Sequence, residues 1–270
     1  MALGNPPQAH YEFMVGDFNG DGQTDWSIVM GSHVHVFLAS GNAGDVITSI
    51  VTNGGYGAST NITYQPLTKS SVYTKDSTAV YPVQDLQGPM YVVSRVDSAN
   101  GVGGNYSSTY TYTGAKSDLS GRGFLGFRQM AITDLQTNIV HTSTYSQIFP
   151  YLGLTSSETK KLGTLTLNQT TNTYQLSNAS NGTTVSTPSN SSAPYRVSVS
   201  QNVAASSDLD GSAIPTVTTT YQYDAYGNPT QVVTSTPDGF SKTTTNTYTN
   251  EATNWFLGRL TNATVTSTTP

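Results

Sequence analysis

Short runs of β-branched and aromatic residues, each closed by a glycine- or asparagine-rich reversal, follow one another along most of this chain. That punctuation restricts the fold to antiparallel hairpins, because Gly and Asn tolerate the positive φ that tight β-turns demand. Trp26 to Met30 and His33 to Leu38 flank Gly31-Ser32, and Val46 to Val51 and Ser59 to Tyr64 flank Asn53-Gly-Gly-Tyr-Gly57. Tyr91 to Asp97 and Ser107 to Thr113 flank Asn100-Gly-Val-Gly-Gly-Asn105, and Gln129 to Thr133 turns at Asp134 to Asn138 and returns through Ile139 to Tyr145. Consecutive hairpins of this kind make a meander. Between Gln65 and Pro89 the pattern weakens, and Pro66, Pro82 and Pro89 withhold ladder donors, so a loop with one edge strand near Ala79 to Val83 is expected.

Composition supports an all-β reading. The 270 residues include 43 Thr and 32 Ser but only three Glu (Glu12, Glu158, Glu251), and surface helices would need many more. From Ser156 to Ser207 the excess of Ser, Thr and Asn fits either long solvated strands or loop. The net charge is −5, with no basic cluster beyond Lys160 and Lys161, which argues against nucleic acid and anionic membrane surfaces as partners. No apolar run approaches the roughly 20 residues that span a bilayer, and Met1 to Phe13 lacks the basic start and apolar stretch of a signal peptide. The chain as given is therefore expected to carry neither anchor nor signal. With no cysteine it has no disulfide framework and no thiolate site.

One loop carries metal-type chemistry. Asp17-Phe-Asn-Gly-Asp-Gly-Gln-Thr-Asp25 places oxygen side chains at positions one, three, five and nine with glycine at six, the pattern that wraps a hard cation. Asp17, Asn19 and Asp21 would give side-chain oxygens, Gln23 its backbone carbonyl and Asp25 the closing carboxylate. Ile28 stands where an EF-hand has its bidentate Glu, so a short, non-EF calcium loop with a structural role is expected. The competing reading is an ion-free, Asx-rich turn. His33 and His35 lie two apart, on one strand face, without an evident third ligand, and are read as a solvated or cross-strand pair. No G-x-S-x-G elbow, thiol or phosphate-cradling loop is present, so catalysis finds little support. Arg122 and Arg128 flank a glycine-rich apolar segment and are expected to cap strand ends or stack on neighbouring tyrosines, the competing reading being recognition of a partner carboxylate or of backbone carbonyls.

An internal echo points to a repeat. Thr109-Tyr-Thr-Tyr112, a strand, a turn and Thr144-Tyr145 are matched by Thr220-Tyr-Gln-Tyr223, a strand, a turn and Thr247-Tyr248. Tyrosines two apart share a strand face, so a ladder of rings across successive strands is expected. Two copies are fewer than a self-standing array needs, so the missing neighbours are expected beyond Pro270 or in another chain.

These residues carry a resemblance. Gly121-Arg-Gly-Phe-Leu-Gly-Phe-Arg128 followed by Tyr145-Ser-Gln-Ile-Phe-Pro-Tyr151 resembles the middle region of the B component of insecticidal Tc toxins and of SpvB-type virulence proteins. Tyr221-Gln-Tyr-Asp-Ala-Tyr-Gly-Asn228 resembles a YD repeat of Rhs proteins, and the Asp17 loop is similar to FG-GAP or VCBS propeller loops. The resemblance implies an all-β fold of consecutive hairpins and meanders forming part of a β shell, with a propeller-like hairpin at the N-terminus. It divides the chain into a calcium-loop segment (1–45), a TcdB/SpvB-like middle region (46–155) and a Ser/Thr-rich and YD segment (156–270). Tyr110, Tyr112, Tyr221, Tyr223 and Tyr248 would be shell tyrosines, with Asp224, Gly227 and Asn228 in the repeat's turn. The implied function is that of a non-catalytic wall segment of a secreted, extracellular bacterial toxin. Its partners would be the rest of the shell, an enclosed toxic cargo and a translocation component. The alternative is a calcium-dependent adhesin or carbohydrate-binding β module that uses exposed tyrosines as stacking platforms.

Overall fold

The computed structural model describes residues 11–40, 44–52, 58–189 and 193–270. The reversal expected at Asn53 to Gly57 lies outside them. The described residues form two antiparallel-based sheets and no helix, so no helix is long and apolar enough to cross a membrane.

The first sheet is a three-stranded meander of β1 (Tyr11–Gly16), β2 (Asp25–Met30) and β3 (His33–Phe37). The Asp17 loop joins β1 to β2 and so sits inside this meander, with a strand on each side of it. The second sheet has 15 strands. It opens with β4 (Ser49–Thr52), β5 (Ala58–Pro66), the short β6 (Tyr73–Thr74) and β7 (Val83–Asp85), then β8 (Tyr91–Ala99) and β9 (Asn105–Asp118). It continues through β10 (Gly123–Asp134), β11 (Ile139–Tyr145), β12 (Thr155–Leu162), β13 (Leu165–Asn178) and β14 (Tyr195–Ser207). It ends with β15 (Ala213–Tyr223), β16 (Pro229–Ser235), β17 (Ser241–Glu251) and β18 (Phe256–Thr268). From β8 onward every strand pairs antiparallel with the next, and the sheet continues from β11 into β12 with one register shift, between Thr144 and Tyr145. The Ser/Thr/Asn-rich stretch resolves as strands, because β-branched Thr and Val suit a half-buried pleat.

The segment between Gln65 and Pro89 departs from expectation. β9 is longer than its partner β8, which pairs only with Asn105 to Thr109. The rest of that edge is taken by β6, opposite Tyr112 and Thr113, and by β7, opposite Lys116 to Asp118. The edge strand therefore lies at Val83–Asp85, and a second one lies at Tyr73–Thr74. The apolar core is here as well: Leu67, Val72, Tyr73, Tyr112 and Ala115 are buried, with Leu86, Val92, Tyr110, Phe127 and Met130 packed around them. Elsewhere the wide sheet is only half-buried along most of its strands.

That leaves much surface wet. A compact protein of 28.6 kDa exposes about 11,000 Å² by size scaling, whereas this chain exposes 17136 Å². The excess follows from a sheet that is wide and covered only locally. Its strand order ends at β18 on one side and β4 on the other, each with one hydrogen-bonding edge unpaired among the described residues.

Candidate functional site

Carboxylates in the Asp17 loop turn toward the loop's own backbone. Asp17 Oδ1 accepts N–H bonds from Gly20 at 2.6 Å and Asp21 at 3.0 Å, and its Oδ2 accepts that of Gly22 at 2.8 Å. Asn19 accepts from the Asp21 N–H and donates Nδ2 to Asp21 Oδ2, both at 2.9 Å. Asp21 Oδ1 accepts the Gln23 N–H at 2.9 Å. Asp25, fully buried, accepts N–H bonds from Phe18 at 2.8 Å and from Ala39 at 2.7 Å.

The loop is also a joint between the two sheets. Thr68 Oγ1 donates to the Gly20 carbonyl and the Tyr91 phenol donates to the Asp21 carbonyl. A Cβ on Gly22, whose φ is +79°, would lie 3.1 Å from Pro89 and 3.2 Å from the Tyr91 ring. Burial, and then the charges of Asp21 and Asp17, push the Tyr91 phenol up from its ordinary pKa. As donor chemistry the set suits a calcium ion, with hard oxygens from Asp17, Asn19, Asp21 and Asp25. As placed, the side chains serve backbone N–H groups, and among the described residues no group of three or more His, Cys, Asp or Glu gathers around one point. His33 and His35 share a face as expected, their rings 6.5 Å apart, and both are exposed.

The Gly121 and Tyr145 motifs, far apart in the chain, meet in space. β10 carries a bulge between Phe124 and Gly126, and β9 turns at Gly114, with φ of +82° at Gly126 and +66° at Gly114. Each irregularity takes a carbonyl out of the regular ladder. Gln147 answers both, donating Nε2 to Gly114 O at 2.8 Å and to Gly126 O at 2.7 Å. Arg122 stacks on Phe149, its Cζ 3.8 Å from the ring centroid, so the ring it meets is a Phe and not one of the tyrosines. Arg128 forms a bidentate pair with Asp76 at 2.8 and 2.9 Å, which fastens the core-forming segment to β10. Hydrogen bonding from Arg128 is the largest influence holding the Asp76 carboxyl below its ordinary pKa.

Tyrosines two apart do share strand faces. Tyr221 and Tyr223 stack at 6.3 Å, and Tyr110 flanks the core in which Tyr112 is buried. A cross-strand ring ladder does not run through them, because along the antiparallel ladders the register sets each against a non-aromatic residue, and only Tyr112, on its other side, stands beside a ring, that of Tyr73 on β6. Tyr110 faces Ile132, Tyr112 faces Met130, Tyr221 faces Val232, Tyr223 faces Pro229 and Tyr248 faces Leu260. The neighbouring turn is held by Asp224, which accepts the N–H groups of Tyr226 and Asn228 at 2.9 Å, Asn228 Nδ2 at 2.8 Å and Asn250 Nδ2 at 2.9 Å. Burial pushes the Asp224 carboxyl up, and these hydrogen bonds outweigh it and leave the pKa lowered. Gly227 sits at φ +87°, where an L side chain would be strained and would meet Arg196.

Tyr73 is the important residue that sequence patterning did not single out. Its phenol donates to Leu86 O at 2.7 Å and accepts the Ala115 N–H at 3.0 Å, and its ring meets Phe127 edge-on at 6.2 Å.

A wide, sparsely covered sheet whose ionisable groups mostly cap turns and bind neighbouring strands together defines the class as an all-β protein of consecutive antiparallel hairpins. The chain belongs to the family described as the insecticide toxin TcdB middle/N-terminal region, whose model matches residues 5–153. Among solved structures it is similar to TcdB2-TccC3 without its hypervariable C-terminal region, with TM-score 0.70 and 11% identity over 95% of this chain and 17% of that one. It is also similar to TcdB2-TccC3, with TM-score 0.65 and 11% identity over 95% of this chain and 17% of that one. A Photorhabdus luminescens Tc holotoxin pore with a substituted TccC3 matches with TM-score 0.69 and 11% identity, over 96% of this chain and 16% of that one. The chain thus spans about a sixth of the length of the solved chains it matches, and at this identity the likeness is one of fold. No curated protein matches.

Proposed function

We propose that this chain is a non-catalytic wall segment of a secreted, extracellular Tc-type toxin, its wide sheet forming part of a β shell around a toxic cargo. The observation that carries this reading is the single 15-stranded sheet, open at β4 and β18, with far more exposed surface than a compact domain of its size. A wall has to be wide and thin, and its edges have to continue into neighbouring strands. Membership of a toxin middle-region family agrees with it, and the 11% identical neighbours, titled as TcdB2-TccC3 and holotoxin complexes, suggest the remaining shell, its cargo and a translocation component as partners. In this reading the YD-type turn at Asp224, Gly227 and Asn228 ties adjacent hairpins of the wall together. The meander β1 to β3 serves as a propeller-type blade, presenting the stacked rings of Phe13, Trp26 and Phe37 to its neighbour.

The Asp17 loop belongs to the same proposal, as a calcium site that stiffens the joint between blade and wall. Asp17, Asn19, Asp21, the Gln23 carbonyl and Asp25 would hold the ion, with Asn19 and Asp21 releasing their mutual bond to do so. Calcium should raise the melting temperature and Asp21→Ala should abolish the rise, while equal melting curves in calcium and in chelator would remove the ion from the account.

Sedimentation velocity tests the wall reading. Open edges should drive association that grows with protein concentration, and Lys at Val265 on β18 together with Lys at Ile50 on β4 should suppress it. A wild-type chain that stays monomeric at high concentration would contradict the proposal.

A further inference from the structure

Between β13, β14 and β15 the wide sheet holds a cavity of about 250 Å³, smaller than a typical drug-sized pocket. Gln175 and Ser198, directly paired across β13 and β14, lie on one side of it. Tyr221 and Tyr223 make an aromatic wall, their rings stacked at 6.3 Å and 18° from parallel. Arg196 and Asp224 complete the lining.

The framework of this cavity is bound internally, while the groups that face into it are not. Arg196 donates to Ala225 O at 2.8 Å and to Ala179 O at 3.3 Å, which holds the Asp224 turn and the loop after β13 around the opening. Asp224 is occupied by the four hydrogen bonds of its own turn. The Tyr223 phenol donates to Val199 O at 2.8 Å. By contrast the Gln175 amide, the Ser198 and Thr184 hydroxyls and the Tyr221 phenol make no side-chain hydrogen bond among the described residues. Together they offer donors and acceptors in mixed order beside a ring surface.

From this geometry we infer a binding site for one neutral pyranose unit of a glycan. Aromatic faces attract the positively polarised C–H bonds of a sugar ring, and amide and hydroxyl groups match its alternating hydroxyls. The charges of Arg196 and Asp224 oppose one another within the lining, so the site carries no net charge to favour an anion. A preformed pocket whose scaffold is already hydrogen-bonded loses little conformational freedom when it is filled. The inference stands independently of the wall reading, since it needs only the faces of β13 to β15.

The test is titration of the full chain, by calorimetry and by NMR, with glucose, galactose, mannose and N-acetylglucosamine, and separately with glucuronate and inorganic phosphate. At least one neutral sugar should bind in the millimolar range and more tightly than either anion. Tyr221→Ala should weaken that binding about tenfold, equivalent to ~1.4 kcal/mol. Gln175→Ala should weaken it several-fold while leaving the melting temperature unchanged, so the inference remains testable if the Tyr221 variant folds poorly. Failure of every neutral sugar to bind, tighter binding of an anion, or full affinity in Gln175→Ala would each overturn it.

Discussion

Replacing Tyr73 by Phe removes a single oxygen from the best-buried part of the molecule. Tyr73 is 4% exposed, and its phenol accepts the N–H of Ala115, a residue that is 0% exposed. The donated bond to Leu86 O contributes about 0.5–1.5 kcal/mol net, and an orphaned buried N–H costs about 1–3 kcal/mol. The sum is near 3 kcal/mol, which for a chain of this length lowers the melting temperature by about 6–12 °C. Because the ring stays in place against Phe127, the packing loss of a Tyr73→Ala change is avoided and the figure isolates the two hydrogen bonds. Urea unfolding should show a lower midpoint with an unchanged slope, and hydrogen exchange should rise first at residues 67–86 and at Ala115. Tyr110→Phe, at a nearby phenol that makes no hydrogen bond among the described residues, should change stability by less than about 0.5 kcal/mol. If Tyr73→Phe proved equally silent, the claim that this segment anchors the sheet would be wrong.

Two further outcomes follow from the same region. Gly114→Ala would place a Cβ 2.4 Å from Asp76 Oδ2 at a φ of +66°, forcing the Asp76–Arg128 pair apart. Left-handed strain of about 1–2 kcal/mol and a partly exposed ion pair of about 1 kcal/mol give ~2–3 kcal/mol, falling to the strain alone in an Asp76→Ala background, as a double-mutant cycle would show. Burial, followed by the nearby Tyr110 phenol, pushes the Tyr112 phenol up to about 12. Because the folded pKa is raised, the stability it lends is complete below pH 10 and is lost as the pH climbs toward 12. An absorbance titration should therefore show a group of tyrosines ionising above the ordinary range, Tyr112 among the last and together with loss of the sheet, and ionisation of all 17 near their ordinary value with the sheet intact would refute this.

Much of the fold was legible because its local signals agree. The runs around Asn100 to Asn105 and around Asp134 to Asn138 carry both strand-type residues and turn chemistry, and both became hairpins. Asp134 accepts the N–H groups of Gln136 and Thr137, the kind of local bond that makes Asp a turn residue. Residues 67–86 were opaque for the opposite reason. β6 and β7 are two and three residues long, so no periodicity could develop, and their role depends on the length mismatch between β8 and β9. Gln147 could not have been singled out either, since its task is to satisfy two carbonyls freed by irregularities 33 and 21 residues away. The tyrosine ladder failed on register: period-two spacing places rings on one face, but pairing decides what stands opposite them.

The claim at the centre of this account is that the chain is an open wall and not a closed globule. Small-angle scattering on the Ile50→Lys, Val265→Lys monomer measures that directly. A compact domain of 270 residues has a radius of gyration of about 18 Å. The open sheet predicts a value clearly above this and a scattering profile of an extended, thin body. A radius at the compact value with a globular profile would contradict it.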